Sequence, residues 1–489
     1  MRAPAFATRT GVLALACTLA ACAIAPVGPN YSVPATAIVN RPGAGAPFAQ
    51  ASAASGATPF AGTPLPPHWW RLYQDPRLDA LIEKALAHNT DLALALANLR
   101  KAEAADEAVT DQKKPTLSVE GGPAFGHVSG LTYLAPDYVP PSGWEYGAGA
   151  SLSYQFDLFG RLQRSIEASR DDTEAAQAAL DLVRVNVAAG TARAYADACA
   201  TGLRVASAER STELQQQALD ISVRLQQAGR VGITDAARAR SQLQVLKAAI
   251  PPLQARRQAA LYRLATLTGD LPQDFSRDVA TCTVPPHVAG TIPVGDGAAL
   301  LRRRPDIRQA ERQLAASTAT IGVATADLYP RVTLGLSVDS VGLGNDFLGK
   351  DTFSYSIGPL ISWTIPNTGV VRARIAQTQA GADGALAKFD GTVLTALRET
   401  ETALDAYARE LDRHAALQSA RDESATVADQ ARRLYLAGRT GYLDALDAER
   451  GLATSEATLA ASDAELADDQ VSLFLALGGG WEAAPAKAN

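Results

Sequence analysis

The stretch AGRTGYLDALDAE, residues 437–449, has one counterpart earlier in the chain, AGRVGITDAARAR, residues 228–240. Both copies place glycine, arginine, glycine and aspartate at the same positions. A glycine at the end of a helix can adopt positive φ without steric cost, and a second glycine lets another backbone approach closely. Each stretch therefore predicts a tight reversal between two helices.

The two turns belong to a longer duplication. A shift of 209 residues superposes the following landmarks: Gly229 on Gly438, Asp235 on Asp444, and 153–160 on 362–369. Self-similarity at a fixed distance is the signature of structural repeats. We therefore expect a first repeat at 68–280 and a second at 281–489, which ends in a C-terminal tail. Each would contain a helix, a β-hairpin, a long helix, the tip turn and a returning helix.

Each expected repeat carries segments in which apolar and polar residues alternate, the pattern of a strand with two different faces. The alternation is clean in 144–157 and 353–365 and weaker in 116–128 and 331–341. A soluble sheet with one apolar face fits this pattern. Aromatic residues at both ends of the apolar face favour membrane strands of about 10 residues instead. Four strands do not close a barrel, since bacterial barrels start at about eight, so copies of the chain would pool their strands.

Two long segments contain no proline, one between Pro141 and Pro251 and the other between Pro366 and Pro485. Within them, 160–227 and 369–436 each predict one helix of about 67 residues, about 100 Å long at 1.5 Å per residue. A coiled coil of unspecified use fits these segments. Joined to a membrane barrel, helices of this length would reach deep into the periplasm.

The N-terminus has the features of an export signal. Arg2 and Arg9 precede an apolar run that ends in LAAC at Cys22 and is too short for the ~20 residues of a spanning helix. We expect 1–21 to be a signal peptide and, because LAAC resembles a bacterial lipobox, Cys22 to be lipidated. The Ala-, Pro-, Gly- and Ser-rich stretch 22–67 would contain this anchor and an extended linker.

Composition argues against several functional classes. A formal net charge of −6 over 489 residues opposes nucleic-acid binding, which recruits basic surfaces. The five histidines form no HExxH or paired cysteine–histidine motif, so we expect no metal and no other cofactor. No serine–histidine–aspartate or cysteine–histidine set has a recognisable context, so we expect no enzyme. The sequence leaves open whether Cys199 and Cys282 pair.

Several motifs resemble one protein family. The segment 300–335, LLRRRPDIRQAERQLAASTATIGVATADLYPRVTLG, is similar to the hallmark segment of the TolC-like outer-membrane efflux proteins. The similarity is greatest to their lipoprotein branch, the NodT or OprM-like proteins. VGPNYSVP, WWRLYQDPRL, the two AGR turns and LALGGGW also resemble that branch, so the resemblance covers nearly all of the mature chain.

The resemblance implies a mixed α and β membrane protein of the bacterial outer membrane, lipid-anchored and extended into the periplasm. Three chains, each with two repeats and four membrane strands, would form a 12-stranded β-barrel. A long periplasmic α-helical barrel with an equatorial domain would continue it. The homotrimer would be the exit duct of a tripartite pump and pass small molecules from a periplasmic adaptor and an RND-type inner-membrane transporter to the outside. Two alternatives are a duct for type I polypeptide secretion and a non-conducting scaffold of coiled helices.

The resemblance also implies roles for individual residues. The positions that match adaptor-contacting tips are Gly229, Arg230, Gly232, Gly438, Arg439 and Gly441. Asp444 and Asp447 match a ring of carboxylates at the closed periplasmic aperture, and Tyr435 matches a residue that braces the closed tip. Thr440 departs from TolC itself, which has an arginine there.

The residues of the second tip agree with such a gate. Asp444 and Asp447 are i and i+3 on one helix, where like charges are mildly destabilising. A ring of acidic side chains favours cations and can gate a pore. Asp235 of the first tip lies where a new helix needs N-terminal capping or charge compensation, and a plain capping role is the preferred interpretation for it.

Overall fold

The computed structural model describes residues 26–49, 59–127, 129, 136–139, 141–288, 290–343, 348–363, 365 and 368–481. Its helices are α1 (Pro76–His88), α2 (Thr90–Asp111), α3 (Arg161–Gln227), α4 (Ile233–Leu267), α5 (Arg277–Ala280), α6 (Gly297–Arg303), α7 (Pro305–Ala326), α8 (Thr368–Leu436) and α9 (Tyr442–Ala476). Its strands are β1 (Phe60–Ala61), β2 (Thr116–Gly126), β3 (Gly143–Phe156), β4 (Ile292–Pro293), β5 (Arg331–Leu343) and β6 (Phe353–Ser362). Among the described helices, none is long and apolar enough to cross a membrane.

The long helices form as the sequence predicts. α3 has 67 residues and α8 has 69, and each is followed by a glycine turn and a helix of 35 residues. α4 continues through Pro251 and Pro252, although each proline removes a backbone donor and disfavours a helix interior.

One sequence expectation needs correction: the single helix expected at the start of the first repeat is broken at Asn89 into α1 and α2. The Asn89 side chain accepts hydrogen bonds from the backbone N–H of Asp91 and of Leu92, and it donates one to the Leu267 carbonyl. Asparagine competes well for such local backbone bonds, so it ends α1 and starts α2. An equivalent break occurs at Arg304, between α6 and α7.

Strands β2, β3, β5 and β6 form one antiparallel sheet, in that order. The register gives its two faces opposite character, because residues that pair across antiparallel strands share a face. One face carries Leu117, Val119, Phe125, Trp144, Leu152, Phe156, Val332, Leu334, Leu336, Val338, Tyr355, Ile357 and Ile361. The other is mainly small and polar, although it includes Val341 and Leu360, and it carries Ser118, Glu120, Gly147, Gly149, Ser151, Arg331, Thr333, Ser337, Asp339, Ser354 and Ser356.

The chain divides into two compact units. The first comprises Met1–Pro34, Arg100–Ala175 and Ala310–Lys388 and contains the four-stranded sheet. The second comprises Ala35–Leu99, Ala176–Gln309 and Phe389–Asn489 and contains both glycine turns.

The core of the second unit is aromatic. Trp69 and Trp70 are fully buried, and the Trp69 ring stacks on Phe474 with a centroid separation of 4.6 Å. In the same core, Cys199 and Cys282 form a disulfide with their Cα atoms 4.7 Å apart. The pairing that the sequence left open is therefore present.

Candidate functional site

Both glycine turns end a long helix in the same way. Gly229 has φ 70° and Gly438 has φ 69°, the left-handed conformation that favours glycine. At the first tip, the Arg230 N–H donates to the Leu225 carbonyl at 2.9 Å, and the Gly229 N–H donates to the Gln226 carbonyl at 2.9 Å. The second tip has equivalent bonds, so both turns are Schellman motifs.

The second glycine of each turn has a different role. Gly232 and Gly441 are the N-caps of α4 and α9, and their φ values of −78° and −72° are open to any residue. A Cβ at Gly441 would meet no atom within 4 Å, and one at Gly232 would meet only the Thr234 hydroxyl at 3.5 Å. Folding of the chain itself therefore does not require glycine here. The predicted tip residues, including Arg230 and Arg439, are all exposed.

The capping interpretation of Asp235 is wrong. Gly232 is the N-cap of α4 and no side chain caps that helix. Asp235 instead lies in the first turn, where a negative charge complements the helix dipole, and it forms an ion pair with Arg238 at 3.5 Å.

Asp444 and Asp447 occupy one face of α9, and the opposite face is buried. Tyr442, Ala445 and Leu446 are at most 5% exposed, whereas both aspartates are exposed. Within the described residues, neither carboxylate has an ion-pair partner. One side of α9 thus packs against the neighbouring tip helices, and a different side exposes the carboxylates of Asp444 and Asp447 to solvent.

Tyr435 is partly buried and packs against a small apolar cluster. It packs on Tyr442, and both contact a group contributed by the two tip hairpins: Leu219, Val223, Ala239, Leu243 and Leu446. Burial raises the pKa of both tyrosines. The cluster joins the first tip hairpin, α3 with α4, to the second, α8 with α9.

Polar contacts continue this junction away from the tips. Arg432 on α8 lies 3.2 Å from the carboxylate of Glu449 on α9, and Arg450 donates to the Gln242 side chain of α4 at 2.9 Å. Burial raises the pKa of Glu449, and Arg432 partly opposes that shift. Three of the four helices near the tips, α4, α8 and α9, are therefore joined by polar side-chain contacts as well as by apolar contact.

In the first unit, an N-terminal strap, 26–34, is clamped onto the helices. The buried Arg164 donates to the Val27 and Gly28 carbonyls and to the Asn30 side chain. The Val27 N–H donates to the Phe159 carbonyl at 3.1 Å, directly after β3. Cys22, the expected lipidation site, lies outside the described residues.

Sequence reasoning missed the clamp and the Tyr435–Tyr442 contact, and it left the disulfide open. Only the disulfide had a usable signal: after the signal peptide and the lipidation site, two cysteines remain in a chain expected to be exported to an oxidising compartment. The other contacts join residues that are far apart along the chain or packed across several helices.

Comparison with known proteins identifies the family. The model of the outer membrane efflux protein family matches residues 81–270 and 298–479. Nodulation protein T of Rhizobium leguminosarum bv. trifolii is 29% identical over 93% of this chain and 94% of its own length. The toluene efflux pump outer membrane protein TtgI of Pseudomonas putida is 29% identical over 84% of this chain and 86% of its own length. The solved outer-membrane channel OprN is 34% identical, covers 93% of this chain and 99% of that chain, and has a TM-score of 0.84. The chain belongs to the outer membrane efflux protein family and is located in the bacterial outer membrane.

Proposed function

We propose that the chain is the exit duct of a tripartite efflux pump, with a periplasmic aperture gated by acidic residues. The observation that carries this proposal is the two-faced sheet. An apolar face with aromatic residues at its ends suits lipid, and a face of serine, glycine and carboxylate suits an aqueous lumen. In this proposal the four strands cross the outer membrane.

The strand count supports an oligomer. A sheet of four strands leaves β2 and β6 as open edges, and unpaired strand edges are not tolerated inside a bilayer. Two copies would supply eight strands and three copies 12, so the open edges call for an oligomer without fixing its size, and the family resemblance favours three. We therefore propose a homotrimer in which β6 of one copy pairs with β2 of the next.

The helices support a duct built from two repeats. A 22-residue helix precedes each pair of strands, and helices of 67 or 69 and then 35 residues follow it. Equal order and nearly equal lengths are what a duplication predicts. In three copies, α3, α4, α8 and α9 would line a periplasmic tunnel that continues the barrel and ends at the tips.

The second tip is the proposed gate. Asp444 and Asp447 are exposed on the side of α9 that their own chain leaves unpacked, so three copies can direct six carboxylates toward a common axis. Such a ring would attract cations and hold the aperture closed through polar contacts. Tyr435 would brace this arrangement from behind through Tyr442.

The glycine turns are the proposed contact with the adaptor. The fold of the chain itself does not require glycine at Gly232 or Gly441. Because glycine has no Cβ, another backbone can approach closely at these two positions. With Gly229, Arg230, Gly438 and Arg439 they form an exposed surface at each tip. An inner-membrane transporter, which we propose to be of the RND type, would act through the adaptor.

The N-terminal clamp supports lipid anchoring at Cys22. Pro26 packs against Gly160, at the point where β3 gives way to α3, and Cys22 is only four residues earlier. A lipid attached there would enter the periplasmic leaflet.

Purified protein in planar bilayers tests the proposed function. A conducting duct should show discrete channel openings, which become frequent when the tip is weakened by substitution. If no openings occur with either the wild-type chain or a weakened tip, the chain is a non-conducting scaffold and the proposal fails.

A further inference from the structure

Three arginines of the first unit converge on one carboxylate at the helix-side end of the sheet. Asp327, just after α7, lies 3.2 Å from Arg161, 2.7 Å from Arg331 and 3.7 Å from Arg374. These arginines come from the first turn of α3, the start of β5 and the second turn of α8. We call these three arginines, without Asp327, the arginine triad.

The Asp327 side chain is largely buried, whereas the side chains of the three arginines are partly exposed to solvent. The Asp327 side chain is 12% exposed, whereas those of Arg161, Arg331 and Arg374 are 34%, 50% and 65% exposed. The Trp363 indole donates to the Leu328 carbonyl at 3.2 Å and so fixes the turn that carries Asp327. Asp327 therefore positions the three arginine side chains through ion pairs. Much of each guanidinium group stays exposed to solvent.

The positive charge of the arginine triad exceeds the negative charge of Asp327. Three guanidiniums and one carboxylate leave two positive charges in a chain whose overall formal charge is −6. Asp157, another acid near this end of the sheet, accepts hydrogen bonds from the Leu162 and Gln163 N–H groups at the start of α3. The Asp157 carboxylate thus compensates the positive end of the α3 helix dipole rather than the arginine triad. Arg372, one turn from the start of α8, adds a further exposed cation.

The register shows which face of the sheet the triad joins. Arg331 pairs with Ser362 and shares a face with Thr333, Ser337 and Asp339. This is the polar face, which the proposed function assigns to the lumen. Toward the opposite end of the same face lie Glu120 and Asp339, in one row on either side of Gly149. The face therefore changes from basic to acidic along the strands.

We propose that the arginine triad binds oxyanions: phosphate, sulfonate or carboxylate groups. Guanidinium presents paired N–H donors that match two oxygens of such a group, and its charge strengthens both bonds. Two positive charges held close together repel each other unless an anion lies between them. The lumenal position rests on the proposed function and makes a transported solute the favoured source of the anion, with the headgroup of an anionic phospholipid as the other source.

Calorimetric titration of the full chain in detergent with inorganic pyrophosphate tests the site. We expect wild-type protein to bind and Arg331→Gln with Arg374→Gln to bind at least about ten-fold more weakly, since two charge-assisted hydrogen-bond donors are lost. Lys350→Gln, which removes a cation near the other end of the sheet, is the matched control and should bind like wild type. The single variant Arg374→Gln, the most exposed of the three, guards against misfolding of the double variant and should weaken binding alone.

Asp327→Asn separates a binding role from a structural one. The asparagine keeps an oxygen that accepts hydrogen bonds from the arginines and so still positions them, while the negative charge that competes with the ligand is removed, so an oxyanion site should keep or increase its pyrophosphate affinity. A purely structural ion-pair cluster would show no pyrophosphate binding in wild type, or equal binding in wild type and in Arg331→Gln with Arg374→Gln. Either result overturns the proposal.

Nanodiscs distinguish the two sources of the anion. Pyrophosphate affinity that falls when phosphatidylglycerol replaces phosphatidylcholine assigns the site to a lipid headgroup, and affinity that is unchanged assigns it to a solute. Binding in detergent does not require conduction. A failure of the duct in planar bilayers would therefore contradict the proposed function and leave the oxyanion site standing.

Discussion

The rings of Tyr435 and Tyr442 lie with their centroids 5.5 Å apart at the second tip, one in the last turn of α8 and the other at the first position of α9. Tyr442 is 5% exposed, and its hydroxyl makes no hydrogen bond to the described residues. The ring therefore contributes more than the hydroxyl to the junction between the hairpins.

Tyr442→Ala should loosen the second tip and Tyr442→Phe should not. Removing a buried aromatic ring costs about 3 kcal/mol, whereas the unpartnered hydroxyl can be removed at little cost. Opening frequency in planar bilayers and trypsin cleavage at Arg439 should both rise in the alanine variant alone. If the two variants behave alike, the ring does not hold the tip.

Gly441→Leu and Gly232→Leu should weaken adaptor binding without affecting the fold. Both positions have ordinary φ values and open space, so a side chain adds bulk to the docking surface without backbone strain. Site-specific crosslinking to the adaptor should decrease, and trimer formation should be unchanged.

Gly438→Ala is the control for the tip prediction. It adds little bulk but forces a Cβ into φ 69°, at a cost of about 1 kcal/mol. Normal adaptor crosslinking in both leucine variants would contradict the docking assignment.

The disulfide should stabilise the second unit. Cys199 and Cys282 close a loop with a sequence separation of 83, for which chain entropy predicts about 4.5 kcal/mol. Cys199→Ser with Cys282→Ser should therefore unfold at lower denaturant concentration than wild type.

Reductant added to native protein should have no effect, because the two residues are only 0% and 4% exposed. When reductant is added together with denaturant, wild-type protein should unfold at the same denaturant concentration as the double variant. Equal unfolding midpoints for wild type and double variant would contradict a stabilising role.

Asp469 predicts a pH dependence of stability. Burial, followed by Glu465, Asp468 and Glu410, raises the pKa of this half-buried carboxyl to about 6. A folded pKa above the unfolded value means that stability is greatest below the unfolded pKa near 3.8 and declines as pH rises through about 6. After allowance for solvent screening, the loss is about 1 kcal/mol.

Asp469→Asn should remove that decline between pH 4 and pH 7, as followed by thermal unfolding. Asp468→Asn is a second test, because Asp468 helps to raise the Asp469 pKa and also forms an ion pair with Arg193 at 2.5 Å: its loss should make the decline smaller and reduce stability at neutral pH. Parallel pH profiles of wild type and Asp469→Asn would contradict the assignment.

Local chemistry explains what could be predicted from the sequence. Proline-free segments and flanking glycines set the bounds of α3 and α8 almost to the residue, and Gly229 and Gly438 adopt the positive φ that the repeated turn requires. Alternation located all four long strands, including β2 and β5, where the pattern was weak.

Long-range contacts could not be predicted. The Arg164 clamp and the arginine triad each depend on elements that fold side by side although they are distant in sequence, and only the Cys199–Cys282 bond had a signal in the cysteine count. The capping interpretation of Asp235 failed because glycine, with no side chain, took the N-cap position. Asp447 has no counterpart in the first tip, where Arg238 stands instead, so the divergence of the copies was visible from the sequence.

Single-channel recording of Asp444→Ala with Asp447→Ala tests the central claim most directly. Asp235→Ala is the matched control, since Asp235 occupies the position in the first tip that Asp444 occupies in the second. The account predicts that the double variant conducts more and is blocked less by multivalent cations, and that the control behaves like wild type. Unchanged conductance and unchanged cation block in the double variant would contradict an acidic gate at the second tip.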